Sequence, residues 1–205
     1  MHLQIIHFYL LLSCYKLLLK YLVQKVLFFQ HICYILYEFL QNLISSTLGS
    51  EWISVKDYLA ENPIPHTYKL EESGFETRVE ILDLPIRFAV DGIIRLHGTY
   101  YILEIKSIDY SAFSNLTDVK LEHYDQTCTY STLLGIENIM FVYIDRMYGD
   151  IKCYEKYVDA NESKHIIDRM TYVMKCVDTN IAPDRLPKGD KWCSMCPYYI
   201  KCNQW

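Results

Sequence analysis

The chain's 205 residues are 51% hydrophobic and 15% aromatic against 22% charged, a composition that excludes a disordered tail and suits one domain with a full core and a small appendage. Its 20 Lys and Arg against 25 Asp and Glu leave a net charge of −5, which excludes a surface coated for nucleic acid and confines any such contact to a local basic groove. Of eight cysteines, Cys193, Cys196 and Cys202 crowd together while five are scattered, a distribution that points to a bound metal and a reducing compartment rather than to disulfides.

Residues 1–48 are apolar nearly throughout, yet Lys16, Lys20 and Lys25 interrupt every window long enough to span a bilayer. A basic n-region and a small-residue cleavage site are both missing from the start, so a secretory signal fits poorly. Largely buried helices are expected there in preference to a membrane anchor. "SEWISVKDYLAENPIP" follows as a short helix stopped by Pro63 and Pro65. Strands are expected over residues 75–81, 86–96 and 99–108, and a helix over 118–134 ended by Gly135. "NIMFVYIDR" and "IKCYEKYV" read as two more strands around a Tyr-Gly-Asp turn. Asn161 is expected to cap a last helix along which Ile166, Ile167, Met170, Val173, Met174 and Val177 repeat at the spacing of core packing. This order of elements defines a mixed α/β protein.

Within the 99–108 strand, "YYILEIKS" puts Glu104 and Lys106 on one face with Tyr100 and Ile102, and Tyr101, Leu103 and Ile105 on the other. If His97 and Gly98 form a two-residue turn, Leu96 pairs with Thr99 and Asp91 falls directly opposite Glu104. Like charges so opposed sit about 5 Å apart at Cβ and destabilise the hairpin. A hard divalent cation with retained waters would neutralise them, and a nearby lysine can orient or deprotonate one of those waters. The expectation is a metal-dependent hydrolytic site. The plainer reading is a solvated sheet face with Lys106 as salt-bridge partner.

"HYDQTCTY" sets His123, Gln126 and Tyr130 on one face of the following helix. Gln and Tyr so placed can hydrogen-bond a phosphate or sugar, although a buried Tyr with a polar flank is also commonplace. An apolar strand ending in Asp-Gly, a hairpin, Glu-Ile-Lys and a helical Gln-x-x-x-Tyr together resemble the PD-(D/E)XK nuclease superfamily, in its RecB-like branch. The tail "CSMCPYYIKC" is C-x2-C-x5-C, the spacing of iron-sulfur members of that branch, including the CRISPR-associated exonucleases.

The resemblance covers roughly residues 70–205. It implies a restriction-endonuclease-like mixed sheet flanked by helices, with a helical N-terminal region over 1–69, a nuclease core over 70–180 and a cysteine-rich metal-cluster tail over 181–205. The implied activity is a magnesium- or manganese-dependent DNA exonuclease that hydrolyses phosphodiester bonds in the cytoplasm of a bacterium or phage-infected host. Its implied partners are DNA and recombination or CRISPR-type proteins, with no membrane.

Carried over by position, Asp91 and Glu104 are metal ligands with the carbonyl of Ile105 as a third, and Lys106 orients the attacking water and stabilises charge on the phosphate. Glu76 takes the place of an earlier acidic residue that holds metal or water, with Glu72 and Glu80 competing for it. Gln126 and Tyr130 form the QxxxY motif beside the scissile strand, with His123 on the same substrate-binding face. Where the branch often carries a metal-binding His after a glycine, "GSEWI" offers Trp52 and Ile53, and the spacing of His66 does not favour it as a substitute. The alternative is therefore a non-cleaving module of the same fold that grips a DNA end or a partner. Three thiolates at Cys193, Cys196 and Cys202 suit a 4Fe-4S cluster or zinc equally by ligand chemistry. The resemblance favours iron-sulfur and implies a fourth ligand upstream, Cys33 first and Cys14 second, while Cys128, Cys153 and Cys176 read as small core residues.

Overall fold

The computed structural model describes residues 50–202 apart from 74, 75, 85, 188 and 191. The helices expected over 1–48, with Cys14 and Cys33, lie outside the described residues. In chain order the elements are β1 (Ser50–Ile53), α1 (Val55–Glu61), β2 (Tyr68–Ser73), β3 (Glu76–Ile81), β4 (Ile86–Ala89), β5 (Gly92–Leu96), β6 (Thr99–Ile108), α2 (Tyr110–Ser114), α3 (Leu121–Leu134), β7 (Asn138–Asp145), β8 (Ile151–Tyr157), α4 (Ala160–Thr179) and α5 (Tyr199–Cys202). The chain divides into two compact units, Met1–Ile167 and Asp168–Trp205, with the division inside α4.

The first unit is mixed α/β. Its five-stranded sheet runs β1-β5-β6-β7-β8, with β6 and β7 parallel and the other neighbours antiparallel. β2, β3 and β4 form a separate antiparallel meander. A parallel pair is built from strands covered on both faces, which is why β6 and β7 are nearly continuous apolar runs. One face of the large sheet gathers Ile94, Tyr101, Leu103, Met140, Val142 and Ile144. On the other, Ile102, Phe141 and Tyr143 are completely buried, each contributing roughly 1.5–3 kcal/mol of hydrophobic stabilisation. Tyr58 of α1 donates from its hydroxyl to the Leu134 carbonyl at 3.0 Å, fastening α1 to the end of α3.

The hairpin forms as its sequence predicts. His97 (φ 49°) and Gly98 (φ 85°) are both left-handed, as the two-residue turn requires, and Leu96 pairs with Thr99. Gly135, at φ 71°, ends α3.

Several expected boundaries move. "SEWI" is strand β1 on the edge of the large sheet, and the helix begins only after Ser54, whose hydroxyl accepts the Asp57 amide at 3.0 Å. The strand expected over 86–96 is two strands in different sheets, because the chain passes from one sheet to the other at Val90 and Asp91. β2 was not foreseen, since Lys69, Glu71 and Glu72 mask the alternation of an exposed edge strand. α3 starts at Leu121, three residues later than expected, and the short α2 precedes it. The last helix is capped by Asp159 rather than Asn161: Asp159 Oδ1 accepts the Asn161 and Glu162 amides, and Glu162 accepts the Asp159 amide at 3.0 Å in return. Ile166 on that helix is buried, whereas Val173 and Val177 are exposed.

Gly92 opens β5 beneath Trp52, and a Cβ there would run into the indole ring. Gly92→Ala is expected to destabilise the protein by about 1–3 kcal/mol, read as a lowered thermal midpoint, with Trp52→Leu in the same chain recovering part of the loss.

In the second unit the hydroxyl of Tyr172 accepts the Asp184 amide at 3.0 Å and donates to its carboxylate at 3.1 Å, tying the segment after α4 back to that helix. A 3₁₀ turn over Cys193–Met195 and then α5 follow. Among the described residues no helix is long and apolar enough to cross a membrane.

Candidate active site

Five of the expected site residues come together in the first unit, from three stretches of chain. Asp91 stands at the entry to β5, Glu104 and Lys106 lie on one face of β6, and Gln126 and Tyr130 project from α3. The β5–β6 ladder runs from Leu96↔Thr99 to Gly92↔Leu103 and ends one step short of Asp91 and Glu104. Beyond the ladder Asp91 turns its carboxylate toward β6, where Oδ2 accepts the Ile105 amide at 2.7 Å. The backbone of Ile105 is thereby brought beside the Asp91 carboxylate.

Glu104 is 2% exposed, and its Oε1 lies 2.5 Å from Lys106 Nζ. The salt-bridge reading of these two residues therefore describes their contact. It does not describe a solvated face, because Glu104 is buried. Burial first, and the neighbouring negative charge of Asp91 second, push the Glu104 carboxyl up to about 7 even though Lys106 opposes both effects.

Lys106 continues the network by donating to Gln126 Oε1 at 3.5 Å, and Gln126 Nε2 donates to the Tyr130 hydroxyl. Because that oxygen accepts from Gln126, the Tyr130 proton points elsewhere and can be donated. Burial raises the Tyr130 phenol pKa against the opposing Gln126 hydrogen bond, with smaller effects from Glu104 and Asp91, which raise it, and Lys106, which lowers it. The ring is fixed from behind by Phe88 of β4, stacked at 5.2 Å between centroids.

His123 sits one turn before this group, but its ring is engaged: Nδ1 shares a 2.8 Å hydrogen bond with the Tyr143 hydroxyl, on which the ring also stacks. Tyr143 is the β7 residue paired with Lys106, so His123 helps fix that position of the sheet. Burial, then Lys106, depress its pKa and favour the neutral imidazole. Phe88 and Tyr143 were not singled out in the sequence; each is an aromatic in an apolar strand, without a local signal that would separate it from ordinary core.

The remaining expected residues are placed as follows. Glu76 opens β3 opposite Ser73, its side chain lying outside the described residues. Glu80 faces Arg87 at 3.4 Å on the meander, and Glu72 is exposed on β2. His66 is held by Asp83 at 2.7 Å. Trp52 packs over Gly92. Cys193, Cys196 and Cys202 belong to the second unit, the first two half-buried and the third exposed, whereas Cys128 and Cys153 are buried in the first unit and Cys176 is half-buried on α4.

Asp91 and Glu104 are two hard oxygen donors within electrostatic reach of each other, a donor set whose chemistry fits magnesium or manganese. The three tail thiols fit iron-sulfur or zinc by donor chemistry. Among the described residues no group of three or more His, Cys, Asp or Glu side chains is gathered as a metal ligand set.

No family model matches the chain, and no curated protein matches it. The chain is similar to a solved structure titled "Crystal structure of SSO0001", with a TM-score of 0.42 and 19% identity over 83% of this chain and 68% of that one.

Proposed function

We propose that the first unit is a metal-dependent nuclease of restriction-endonuclease-like, RecB-like type that hydrolyses DNA phosphodiester bonds, as an exonuclease, and that the cysteine tail carries a structural 4Fe-4S cluster. The observation that carries this reading is the buried Glu104, raised toward neutral pH beside Asp91 and bonded to Lys106, with Gln126 and Tyr130 at its edge. A carboxylate whose pKa is raised by burial first and by a second carboxylate next, with a lysine, a glutamine and a tyrosine bonded in series beside it, supports a functional site. Magnesium or manganese held by Asp91 and Glu104 would supply Lewis acidity at the phosphate and a water of lowered pKa.

The chain's own residues account for the rest. Lys106 offsets negative charge building on the phosphoryl oxygens and aligns the attacking water. Gln126 and Tyr130 position the strand through hydrogen bonds to its backbone. His123, tied to Tyr143, is a positioning residue for this part of the sheet. Purified protein incubated with end-labelled single- and double-stranded DNA is expected to release short products with magnesium or manganese and none with chelator. If the protein retains DNA without cutting it under any metal, it is instead the non-cleaving binding module.

For the tail, anaerobically purified protein is expected to be brown, and Cys196→Ser to lose both the colour and several degrees of thermal stability, because cluster binding is coupled to folding. Cys33→Ser should behave likewise. Cys153→Ser should keep the colour, since its thiol is buried in β8 and burial pushes its pKa up to about 12. A colourless protein with stoichiometric zinc would contradict the cluster.

A further inference from the structure

β6 and β7 are parallel, and their C-terminal ends come together at Ile108 and Asp145. Ligands of α/β sheets bind beyond the carboxyl ends of parallel strands. Here the chain beyond both ends presents an aromatic residue. Tyr110 starts α2 and Tyr148 lies in the turn after β7; their rings meet edge to face at 5.1 Å, yet remain 49% and 46% exposed.

The segments that carry the pair are held by local hydrogen bonds. Asp145 is 0% exposed, and its two carboxylate oxygens accept the amides of Met147 at 3.0 Å and Tyr148 at 2.9 Å. The Arg146 amide donates to the Ile108 carbonyl at 2.9 Å, lashing the turn to β6. Asp109 caps the helix that carries Tyr110 by accepting the Ala112 amide at 2.9 Å. Two ordered aromatic rings are thus displayed to solvent on short, well-bonded stems.

Positive charge connects them to the candidate active site. The Lys120 amide donates to the Tyr143 hydroxyl at 3.1 Å, and Tyr143 is paired with Lys106. Lys106 lies two residues before the end of β6, Arg146 directly follows the end of β7, and Lys120 is fastened to Tyr143 near that end, so the three cations gather at the strand ends that carry the tyrosines. Tyr110 is four positions along the chain from Lys106, a reach of at most about 14 Å.

We propose that Tyr110 and Tyr148 form a base-stacking platform that receives an unpaired nucleobase of a strand whose phosphates run along Arg146, Lys120 and Lys106. A phosphate-tracking run of cations ending on exposed aromatic faces is how single-stranded nucleic acid is held without sequence preference. A base inside a duplex is already stacked on its neighbours, so the occupant is a single-stranded segment. The proposal rests on the nuclease reading of the adjoining site and adds to it the residues that grip the strand next to the cut.

The test is fluorescence anisotropy on the full chain in chelator, with a labelled thymidine oligonucleotide and an abasic oligonucleotide of equal length. Wild type is expected to bind the base-bearing strand about tenfold more tightly than the abasic one. Tyr148→Ala and Tyr110→Ala should erase that difference while leaving abasic binding unchanged, and Tyr148→Phe should restore it. Arg146→Ala should weaken both strands and reduce the salt slope by about one. A Tyr148→Ala protein that still prefers the base-bearing strand while wild type cuts DNA would overturn the platform and leave the nuclease standing. A wild type that neither binds nor cuts either strand would overturn both.

Discussion

Lys106→Ala is expected to slow phosphodiester cleavage about a hundredfold or more under single-turnover conditions while changing DNA affinity by less than about threefold. The asymmetry follows from position. Lys106 Nζ lies against the buried Glu104 carboxylate and within reach of Gln126, so it sits where charge would build during the reaction. It supplies only one of several phosphate contacts, so binding barely registers its loss. Both carboxylates remain in the variant, so manganese binding should persist. Equal rates for variant and wild type would remove Lys106 from the chemistry and leave it a salt-bridge partner.

Glu104→Gln is expected to abolish metal-dependent cleavage and, at the same time, to stabilise the metal-free protein at alkaline pH. The folded-state pKa of Glu104 is raised to about 7 from an ordinary 4.5, so between those values the folded protein keeps a proton that the unfolded chain has lost. The associated stability is fully present below about pH 4.5 and is lost as pH rises through about 7, on the order of 3 kcal/mol in all. Glutamine cannot ionise, and its carbonyl can still accept from Lys106. In chelator, the thermal midpoint of wild type should therefore fall between pH 5 and pH 8 by more than that of the variant. Because a metal competes with the same proton, wild-type manganese affinity should rise up to about pH 7 and then level off. Parallel pH profiles for the two proteins would show that Glu104 carries no such burden.

Local pattern made the centre of this fold legible. Charges at Glu104 and Lys106 stood out in an apolar strand, His97 and Gly98 supplied the left-handed turn, and helical spacing put Gln126 and Tyr130 on one face. The mixed α/β class followed from the order of elements. What failed to show was non-local. The run over 86–96 looks continuous because both strands are apolar, and nothing in it announces that Val90 and Asp91 carry the chain between sheets. β1 and β2 owe their form to pairing with β5 and β3 rather than to their own propensity. In the site, Asp91 reaching the Ile105 amide, Phe88 bracing Tyr130 and Tyr143 holding His123 are contacts between residues 12 or more positions apart in the chain. The Tyr110 and Tyr148 pair arises the same way, from two strand ends that become neighbours only when β6 and β7 align.

The most direct measurement is anomalous-difference density from crystals of the wild-type protein soaked in manganese at pH 7.5. The account predicts a peak between the Asp91 and Glu104 carboxylates, about 2.1 Å from an oxygen of each, with Lys106 Nζ drawn away from Glu104. A map with no density between those carboxylates, and Lys106 still bonded to Glu104, would contradict it.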